Sequence, residues 1–451
     1  MNEKHSASAR KLKPLQLAAI IFLTISGGPY GLESLLSYVG EHGAFLLLFI
    51  TPILWDIPTI FTVLELNSMM PVTGGYYQWV KHAMGLRFGW YEGWWTWLYT
   101  FVDLAIYPVL FVEYLEFFFP QAAAYKIPIC LVIIWSCALL NIRGIVPVGK
   151  FSVILGAIIL APFIFLFVYF LSHHTGDMTI PSQSLKGVKF PMLGLGIYTV
   201  MWNFLGWDNV TTYADEVANP VKTYLKSVFT AFAMIFIVYF LVIFVSIHSG
   251  IPYSKLSDEG FPALGEFIGG HWLGGLLAFG GLASGLGLYL AVLLSVSRVP
   301  KVMADDELLP KKLHDLHPKY KTPYISIVCC SLVVSVMVML TFADLLVIDV
   351  ILYGAALFLE FVALIIFRLK APDLDRPFKI PFNVTGLILM TLLPVSVYAI
   401  ALAGAFSDSG GTFFPVAIAF GALLSGEVFW RLIAWRKPHL RKKKGFTLPG
   451  S

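Results

Sequence analysis

Charged side chains are scarce in this chain. Asp, Glu, Lys and Arg make up 13% of its 451 residues, and 58% of the residues are apolar, whereas a soluble domain carries about 25% charged residues. The shortage excludes a water-soluble globular protein, because too little polar surface is available to cover a chain of this length. The apolar residues also fall in blocks long enough to cross a bilayer, which takes about 20 residues as a helix. We therefore expect an all-α integral membrane protein surrounded by lipid.

Groups that enzymes and metalloproteins use are also in short supply. None of the 10 His residues falls in the middle of an apolar block. The blocks contain no His-rich metal cluster and no Ser–Lys or paired-Asp catalytic arrangement, which argues against an intramembrane enzyme. We expect no metal, no cofactor and no nucleic-acid partner. The first fourteen residues are polar and basic without a cleavage site, so the first block is expected to serve as its own insertion signal.

The pattern of apolar blocks predicts twelve transmembrane helices. The blocks lie at 15–39, 43–70, 89–118, 125–142, 150–172, 188–213, 228–248, 271–298, 323–342, 345–368, 382–406 and 412–433. With a cytosolic N-terminus, every Lys and Arg falls on the cytosolic side except Lys126, Lys186, Lys189 and Lys255. This positive-inside bias predicts that both termini are cytosolic. The plasma membrane is the expected location, with an internal membrane as the alternative.

Residues that break helices interrupt two of the twelve blocks. The first block carries SGGPYG at 26–31, and the sixth carries NFLGWD at 203–208. Broken backbone persists at membrane depth only where it lines a cavity or packs against protein. Because the breaks lie five blocks apart, they predict two inverted repeats with a substrate site at their interface. The chain then divides into a cytosolic segment, two repeats, two further helices and a basic tail, at 1–14, 15–172, 188–368, 382–433 and 434–451.

Acidic residues inside the blocks have no basic counterparts. They include Glu33, Asp56, Glu65, Asp103, Glu113, Asp208, Asp349 and Glu360, and no Lys or Arg lies deep in any block. Ionisable residues within membrane spans are costly and mark substrate or ion paths. The imbalance therefore predicts a cationic substrate, a coupling cation or both. Glu33, Asp103 and Asp208 are the best candidates, whereas Glu113 and Asp349 are expected near the outer surface.

Aromatic residues complete the predicted site. Tyr107 follows Asp103 by one helical turn and shares its helix face. Trp202 and Trp207 offer ring faces that can hold an ammonium group, with ordinary packing as the alternative. Tyr30 and Gly28 belong to the first break. If protons drive transport, Glu33, Asp103 and Asp208 are the candidate proton carriers, and the sequence leaves sodium open.

Three motifs in the chain resemble the amino acid–polyamine–organocation superfamily. They are ELNSMMPVTGGYY at 65–77, the stretch from GWD to ADEVANP at 206–220, and SR at 297–298 followed by MADDELLP at 303–310 and TP at 322–323. The resemblance covers nearly the whole chain. It implies a LeuT-type five-plus-five inverted repeat with helices 1 and 6 broken and two extra helices. It also implies a structural role for Glu65, which belongs to a motif shared by members with different substrates.

The first break resembles the polyamine uptake branch of the L-type group. Amino acid carriers of this fold usually show a Gly-Ser-Gly-like break there, whose backbone N–H groups hold the substrate carboxylate. Here GGPYGLE at 27–33 contains Pro29, which has no N–H, and Glu33, which repels a carboxylate. The resemblance implies proton-driven uptake of putrescine, spermidine or spermine, with paraquat as an accidental substrate. It further implies that Trp202 is a gating aromatic residue and that Tyr289 lines the site.

Two other functions compete with polyamine uptake. A transporter of cationic or neutral amino acids on the same fold would need a site for an α-carboxylate. A receptor without transport activity would show a signalling domain or lost site residues, and neither appears. Some L-type relatives use a disulfide-linked heavy chain, which needs an extracellular Cys. No such partner is expected here, because all four cysteines lie in apolar blocks, at Cys130, Cys137, Cys329 and Cys330.

Overall fold

The computed structural model describes residues 11–339, 342–408, 413–442 and 445–447. Parts of the predicted N-terminal segment and of the basic tail therefore lie outside the described residues. The helices of the first half are α1 (Pro14–Ile25), α2 (Leu35–Thr51), α3 (Ile57–Met69), α4 (Gly75–Met84), α5 (Leu86–Glu116), α6 (Lys126–Ile142), α7 (Ile145–His173) and α8 (Phe190–Trp202). Those of the second half are α9 (Pro220–Ser249), α10 (Tyr253–Gly269), α11 (His271–Val296), α12 (Val299–Asp305), α13 (Tyr324–Met337), α14 (Phe342–Lys370), α15 (Val384–Asp408) and α16 (Phe413–Arg436).

The structure is that of a multi-pass membrane protein. Within the described residues, nine helical stretches are long and apolar enough to cross a bilayer. Three shorter apolar helices, α1, α8 and α13, lie in the first, sixth and ninth predicted blocks. A π-helical turn at Pro52–Asp56 joins α2 and α3 into one span. The all-helical prediction is confirmed, since the described ranges contain no β-strand.

Both predicted helix breaks are present. Helix α1 ends at Ile25, and the chain then passes through Gly27, Gly28 and Gly31, which have φ angles of 57°, 101° and 104°. Residues with a Cβ rarely adopt such positive φ values, so glycine is needed at these positions. Helix α8 ends at Trp202, and the rest of the sixth block forms only one 3₁₀ turn, at Asn209–Thr212. A second 3₁₀ turn follows directly after the block, at Ala214–Glu216. The second half of that block is therefore not a regular α-helix.

Helices α5 and α11 form the centre of the bundle. They pack against each other, and α5 also packs against α14, while α11 contacts α1 and α7. The most apolar stretch of His271–Asp305 is 78% buried, whereas that of Val416–Arg436 is only 17% buried. Exposed apolar side chains on the peripheral helices, such as Leu424 and Trp435, face outward. An exposed apolar surface of this extent is suited to contact with lipid.

A buried ion-pair cluster joins the end of α3 to the end of α14. The carboxylate of Glu65 is fully buried and accepts hydrogen bonds from Arg368 Nε and Nη2 at 2.5 and 2.6 Å. It lies 3.2 Å from Arg376 Nε and also accepts a bond from the amide of Ile380 at 2.8 Å. Glu65 thus holds two helix ends together, in agreement with the structural role that the resemblance implies.

Candidate substrate cavities

The two helix breaks meet at a small cavity, which we call the inner cavity. Its volume is about 20 Å³, close to the space that one water molecule needs. It is lined by Thr24, Ile25, Ser26, Tyr99, Asp103, Tyr107, Trp202, Asn203, Leu205, Gly206, Asn209, Leu288, Asp349 and Tyr353. The cavity must therefore widen to admit an organic substrate.

Two carboxyl groups line the inner cavity. Asp103 on α5 is 8% exposed, and the phenol of Tyr107, one turn later, contacts it as the sequence spacing predicted. Asp349 on α14 is 2% exposed and interacts electrostatically with Asp103. The expectation that Asp349 lies near the outer surface is wrong. Helix α14 begins at Phe342, three residues before the predicted block, so Asp349 is two turns inside the helix.

Tyr239 on α9 connects the two breaks. Its hydroxyl lies 2.7 Å from Ser26 Oγ in the first break and 2.8 Å from the carbonyl oxygen of Asn203 in the second. The Ser26 hydroxyl in turn lies 3.0 Å from both the carbonyl and the amide of Gly28. Tyr239 could not be identified from the sequence, because a lone Tyr in an apolar block is also an ordinary packing residue.

A larger cavity lies beside the inner one, and we call it the outer cavity. Its volume is about 590 Å³. Its lining includes six acidic residues, Glu33, Glu113, Glu116, Asp258, Glu259 and Glu266, and no Lys or Arg is among the described residues that line it. Three of the acids come from α10, outside every predicted block. Carboxylates gathered around one cleft create a negative potential that concentrates cations.

Glu33 lies between the first break and the outer cavity. Its Oε2 accepts a hydrogen bond from the Gly31 amide at 2.5 Å, and its Oε1 accepts one from the Tyr114 hydroxyl at 2.9 Å. Tyr30 supports this arrangement, because its hydroxyl donates to the Leu277 carbonyl at 2.6 Å and its ring packs edge-on against Tyr114. Tyr30 and Gly28, which were predicted to contact the substrate, line neither cavity.

Trp202 lines both cavities and separates them. It is the last residue of α8, and a Cβ at Gly31 would lie 2.5 Å from its ring. Only glycine fits at position 31, so the first break and the Trp202 ring are in close contact. An aromatic ring at this point obstructs passage between the cavities. This placement agrees with the gating role that the resemblance implies.

Besides Tyr30 and Gly28, three further predicted site residues lie outside both cavities. Asp208 is buried behind the inner cavity and accepts a hydrogen bond from the Tyr353 hydroxyl at 3.1 Å. Trp207 turns away from the cavity, because its indole N–H donates to Asp56 Oδ1 at 3.3 Å. Tyr289 is fully buried on α11, and its phenol contacts Ser331. Trp207 and Tyr289 therefore line neither cavity, and their contact with the substrate stays a prediction.

Several lining residues were missed from the sequence. Tyr353 follows Asp349 by four residues on α14, and both line the inner cavity. That spacing is the same signal that linked Asp103 to Tyr107, so it could have identified the pair. The acids of α10 had no such signal, because they lie between two predicted spans in a segment whose position only the fold determines.

A bundle of membrane-spanning helices with two breaks around a small cavity, beside a larger acidic one, defines a membrane transporter and not an enzyme. A sequence model described as Amino acid permease matches residues 12–424. The chain therefore belongs to the amino acid permease family, within the amino acid–polyamine–organocation superfamily. The resemblance read from the three motifs is thereby confirmed.

Named relatives point to one branch of this superfamily. The chain is 31% identical over 398 residues to the polyamine transporter RMV1 of Arabidopsis thaliana, covering 87% of this chain and 80% of the relative. It is 30% identical over 409 residues to the polyamine transporter PUT1 of Oryza sativa subsp. japonica, covering 88% and 74%. It is 24% identical over 449 residues to the methylthioribose transporter of Bacillus subtilis (strain 168), covering 93% and 94%. The two relatives of higher identity are both polyamine transporters.

Proposed function

We propose that this protein is a secondary active transporter that takes up polyamines together with protons by alternating access. Its substrates are putrescine, spermidine and spermine, with paraquat as an accidental one. The observation that carries the proposal is the charge of the two cavities. Both are lined by carboxyl groups, and their described linings contain no Lys or Arg. The names of the plant relatives support the same substrate class.

The two cavities suit successive stages of binding. A polyamine in solution is a strongly hydrated polycation, and the acidic outer cavity raises its local concentration. Beyond Trp202, the buried Asp103 and Asp349 offer charge-assisted hydrogen bonds to ammonium groups, and such bonds are stronger than neutral ones. The aromatic rings of Tyr107 and Trp202 add faces for the same cation. The substrate completes a site in which the protein supplies only negative charge.

Amino acid transport, the competing function, is disfavoured by the backbone of the first break. An α-carboxylate needs free N–H groups there. The amide of Gly27 bonds to the Phe22 carbonyl at 3.0 Å, and that of Gly28 bonds to Ser26 Oγ at 3.0 Å. The Gly31 amide is occupied by the carboxylate of Glu33, and Pro29 has none. Glu33 thus takes the position that a substrate carboxylate would need.

The proposal extends to the arrangement of the spans. We infer a LeuT-type five-plus-five inverted repeat over 15–172 and 188–368, followed by two extra helices over 382–433. The two breaks, five spans apart and both lining the inner cavity, support this arrangement. The distribution of Lys and Arg supports cytosolic termini, with the outer cavity facing the exterior. The plasma membrane is the location that suits uptake.

Uptake of radiolabelled spermidine into proteoliposomes tests the proposal. We expect uptake that an inward proton gradient stimulates and that excess putrescine blocks, while leucine and arginine have no effect. Entry of labelled amino acids without spermidine flux would instead identify an amino acid transporter. No flux of either class, in protein that is folded and correctly inserted, would favour a receptor.

Glu33→Gln is expected to weaken spermidine binding about tenfold, since a hydrogen bond to a charged group contributes about 1.5–3 kcal/mol. The amide of Gln can still accept from Gly31 and donate to Tyr114, so the geometry of the break is retained and only the charge is lost. Equilibrium binding of labelled spermidine measures the change. Glu41→Gln is the matched control, because Glu41 lines neither cavity and its side chain is 43% exposed. Equal affinity in the two variants would exclude Glu33 from the cation path.

Trp202→Ala is expected to open the passage between the cavities. Without the ring, spermidine should exchange across the membrane faster in the absence of a gradient, and accumulation driven by the gradient should fall. Trp202→Phe keeps an aromatic ring and should restore accumulation. The test compares gradient-free exchange with gradient-driven uptake in the same vesicles. Accumulation at the wild-type level in the alanine variant would contradict a gating role.

A further inference from the structure

Three buried carboxyl groups lie together behind the inner cavity, and no part of the substrate site uses them. Glu92 on α5 and Glu360 on α14 are fully buried, and Asp208, after the second break, is 3% exposed. Glu92 and Glu360 each interact electrostatically with Asp208. We call Glu92, Asp208 and Glu360 the carboxyl cluster. Glu92 was missed in the sequence because it lies only three residues inside the start of the predicted block at 89–118.

The carboxyl cluster has too few hydrogen-bond donors to be fully ionised. Among the described protein groups, neither oxygen of Glu360 has a donor, and Oε2 of Glu92 has none. Oε1 of Glu92 accepts from the Thr96 hydroxyl at 3.2 Å. The Glu360 carboxyl interacts electrostatically with both Asp208 and Glu92. Like charges buried near one another, away from water, do not all ionise.

The groups that face the cluster are phenolic or acidic. Tyr76 on α4 interacts electrostatically with all three carboxyls, is fully buried, and has a hydroxyl without a partner among the described groups. Tyr99 on α5 faces Asp208 and, on its other side, Asp103. Tyr353 on α14 faces Asp208 and Glu360. No Lys or Arg is among these facing groups, so a cation must come from elsewhere to balance the cluster.

A proton suits the carboxyl cluster better than a metal ion does. A metal site needs several ligands converging at fixed distances. Among the described residues, no group of three or more His, Cys, Asp or Glu side chains is placed to hold a metal. A proton has no such requirement, because it binds to a single carboxyl oxygen. Among the described groups, both oxygens of Glu360 and Oε2 of Glu92 lack a partner and offer such positions.

A hydrogen-bonded path joins the cluster to the substrate site. The Tyr353 hydroxyl donates to Asp208 at 3.1 Å and accepts from the Gly206 amide at 3.3 Å. Gly206 has a φ of 100° in the second break, and both Gly206 and Tyr353 line the inner cavity. A change in the charge of Asp208 therefore acts directly on the backbone of the break. Tyr99 adds a second contact, since its hydroxyl donates to Asn209 at 3.1 Å.

We propose that the carboxyl cluster of Glu92, Asp208 and Glu360 holds the proton that is transported with the substrate. This inference rests on the proposed function, and it separates the proton site from the substrate site. Asp103 and Asp349 bind the polyamine, while the cluster behind them binds the proton. Tyr353 and Gly206 transmit the protonation state of the cluster to the second helix break. Gradient-driven uptake then needs both sites, whereas exchange of substrate across the membrane needs only the first.

The test uses Glu360→Gln and Glu92→Gln in the full-length protein reconstituted in proteoliposomes. Each substitution replaces a protonated carboxyl by a neutral group of the same shape. We expect gradient-free exchange of labelled spermidine at the wild-type rate and a loss of accumulation under an inward proton gradient. A pH-sensitive dye inside the vesicles should report that protons no longer enter with spermidine. Glu41→Gln is the matched control and should retain accumulation.

Three results would overturn the inference. Accumulation and proton entry at the wild-type level in both variants would place the proton elsewhere. Loss of exchange together with accumulation, in folded protein, would make the cluster part of the substrate site. Absence of any spermidine flux in the wild type would contradict both the proposed function and this inference. The other two results would contradict this inference alone.

Infrared spectroscopy tests the cluster without transport. A protonated carboxyl absorbs separately from a carboxylate, so wild-type protein at neutral pH should show a protonated-acid band that Glu360→Gln reduces. Tyr76→Phe should shift this band without removing it, because it removes only a facing hydroxyl. A spectrum unchanged by Glu360→Gln would overturn the inference even if transport were impaired.

Discussion

Asp103→Asn is expected to weaken spermidine binding at least about 30-fold, because loss of one partner of a buried charge pair costs about 2–5 kcal/mol. Asp103 is 8% exposed, and no Lys or Arg among the described residues lines its cavity. An ammonium group bound there has Asp349 as its only other carboxyl partner within the inner cavity. The asparagine side chain keeps the contact with Tyr107 but carries no charge. Equilibrium binding of labelled spermidine to purified protein measures the loss.

The control for Asp103→Asn is the same substitution, Asp to Asn, in an exposed loop. The Asp177 carboxylate accepts hydrogen bonds from Thr179, at 3.0 Å from its amide and 2.8 Å from its hydroxyl. Those bonds hold the pKa of the Asp177 carboxyl below its usual range. Asp177→Asn should leave spermidine affinity unchanged. If Asp103→Asn binds as tightly as this control, the inner cavity is not the polyamine site.

The positions of the helix breaks followed from the sequence because glycine and proline act locally. SGGPYG and NFLGWD cannot continue an α-helix, and the chain leaves the helix within a residue of each motif. The membrane class followed in the same way, from apolar blocks that need no knowledge of their neighbours. Asp103 and Tyr107 were paired correctly because both lie on one helix, where spacing fixes the shared face.

The sequence could not predict which acidic residues on different helices lie near one another. The acidic residues of one block carry no sign of which other block they face. Asp103 meets Asp349, whereas Asp208 meets Glu92 and Glu360. Glu33 was grouped with Asp103 and Asp208, but it lines the outer cavity, because the chain extends between the end of α1 and the start of α2. The three predicted acids therefore lie in three places, with Glu33 at the outer cavity, Asp103 at the inner cavity and Asp208 in the carboxyl cluster. Trp202 lies between the outer and the inner cavity.

Division of the acids among three places gives each a different task. Most carboxylates of the outer cavity are exposed or half-buried, which suits capture and release of a hydrated cation. The inner cavity holds two carboxyls in about 20 Å³, so it has to widen when it receives a substrate. The carboxyl cluster lies outside both cavities and is connected to the inner one through Tyr353. Opening of the inner cavity must move the second break, because Gly206 lines that cavity. The carboxyl cluster can influence this movement through the hydrogen bonds of Tyr353 to Asp208 and Gly206.

The ends of α3 and α14 must stay together while the cavities open, and Glu65 is the residue that joins them. Glu65→Gln is expected to destabilise the protein by about 3–5 kcal/mol, which is typical when a buried ion pair loses one partner. The substitution leaves Arg368 and Arg376 with side chains that are 8% and 1% exposed and no carboxylate between them. Thermal unfolding in detergent, followed by loss of the monodisperse species, should show a clear fall in Tm.

Glu427→Gln provides a matched control for Glu65→Gln, since Glu427 also lies between two arginines. Its carboxylate accepts from Arg87 Nη2 and Arg431 Nε, both at 2.7 Å, but the Arg431 side chain is 77% exposed. Exposed ion pairs contribute about 0–1 kcal/mol, so this variant should unfold close to the wild type. Both variants replace Glu by Gln between two arginines. The difference between their unfolding temperatures therefore reports the effect of burial of the ion pair. Equal unfolding temperatures for the two would show that Glu65 does not hold α3 and α14 together.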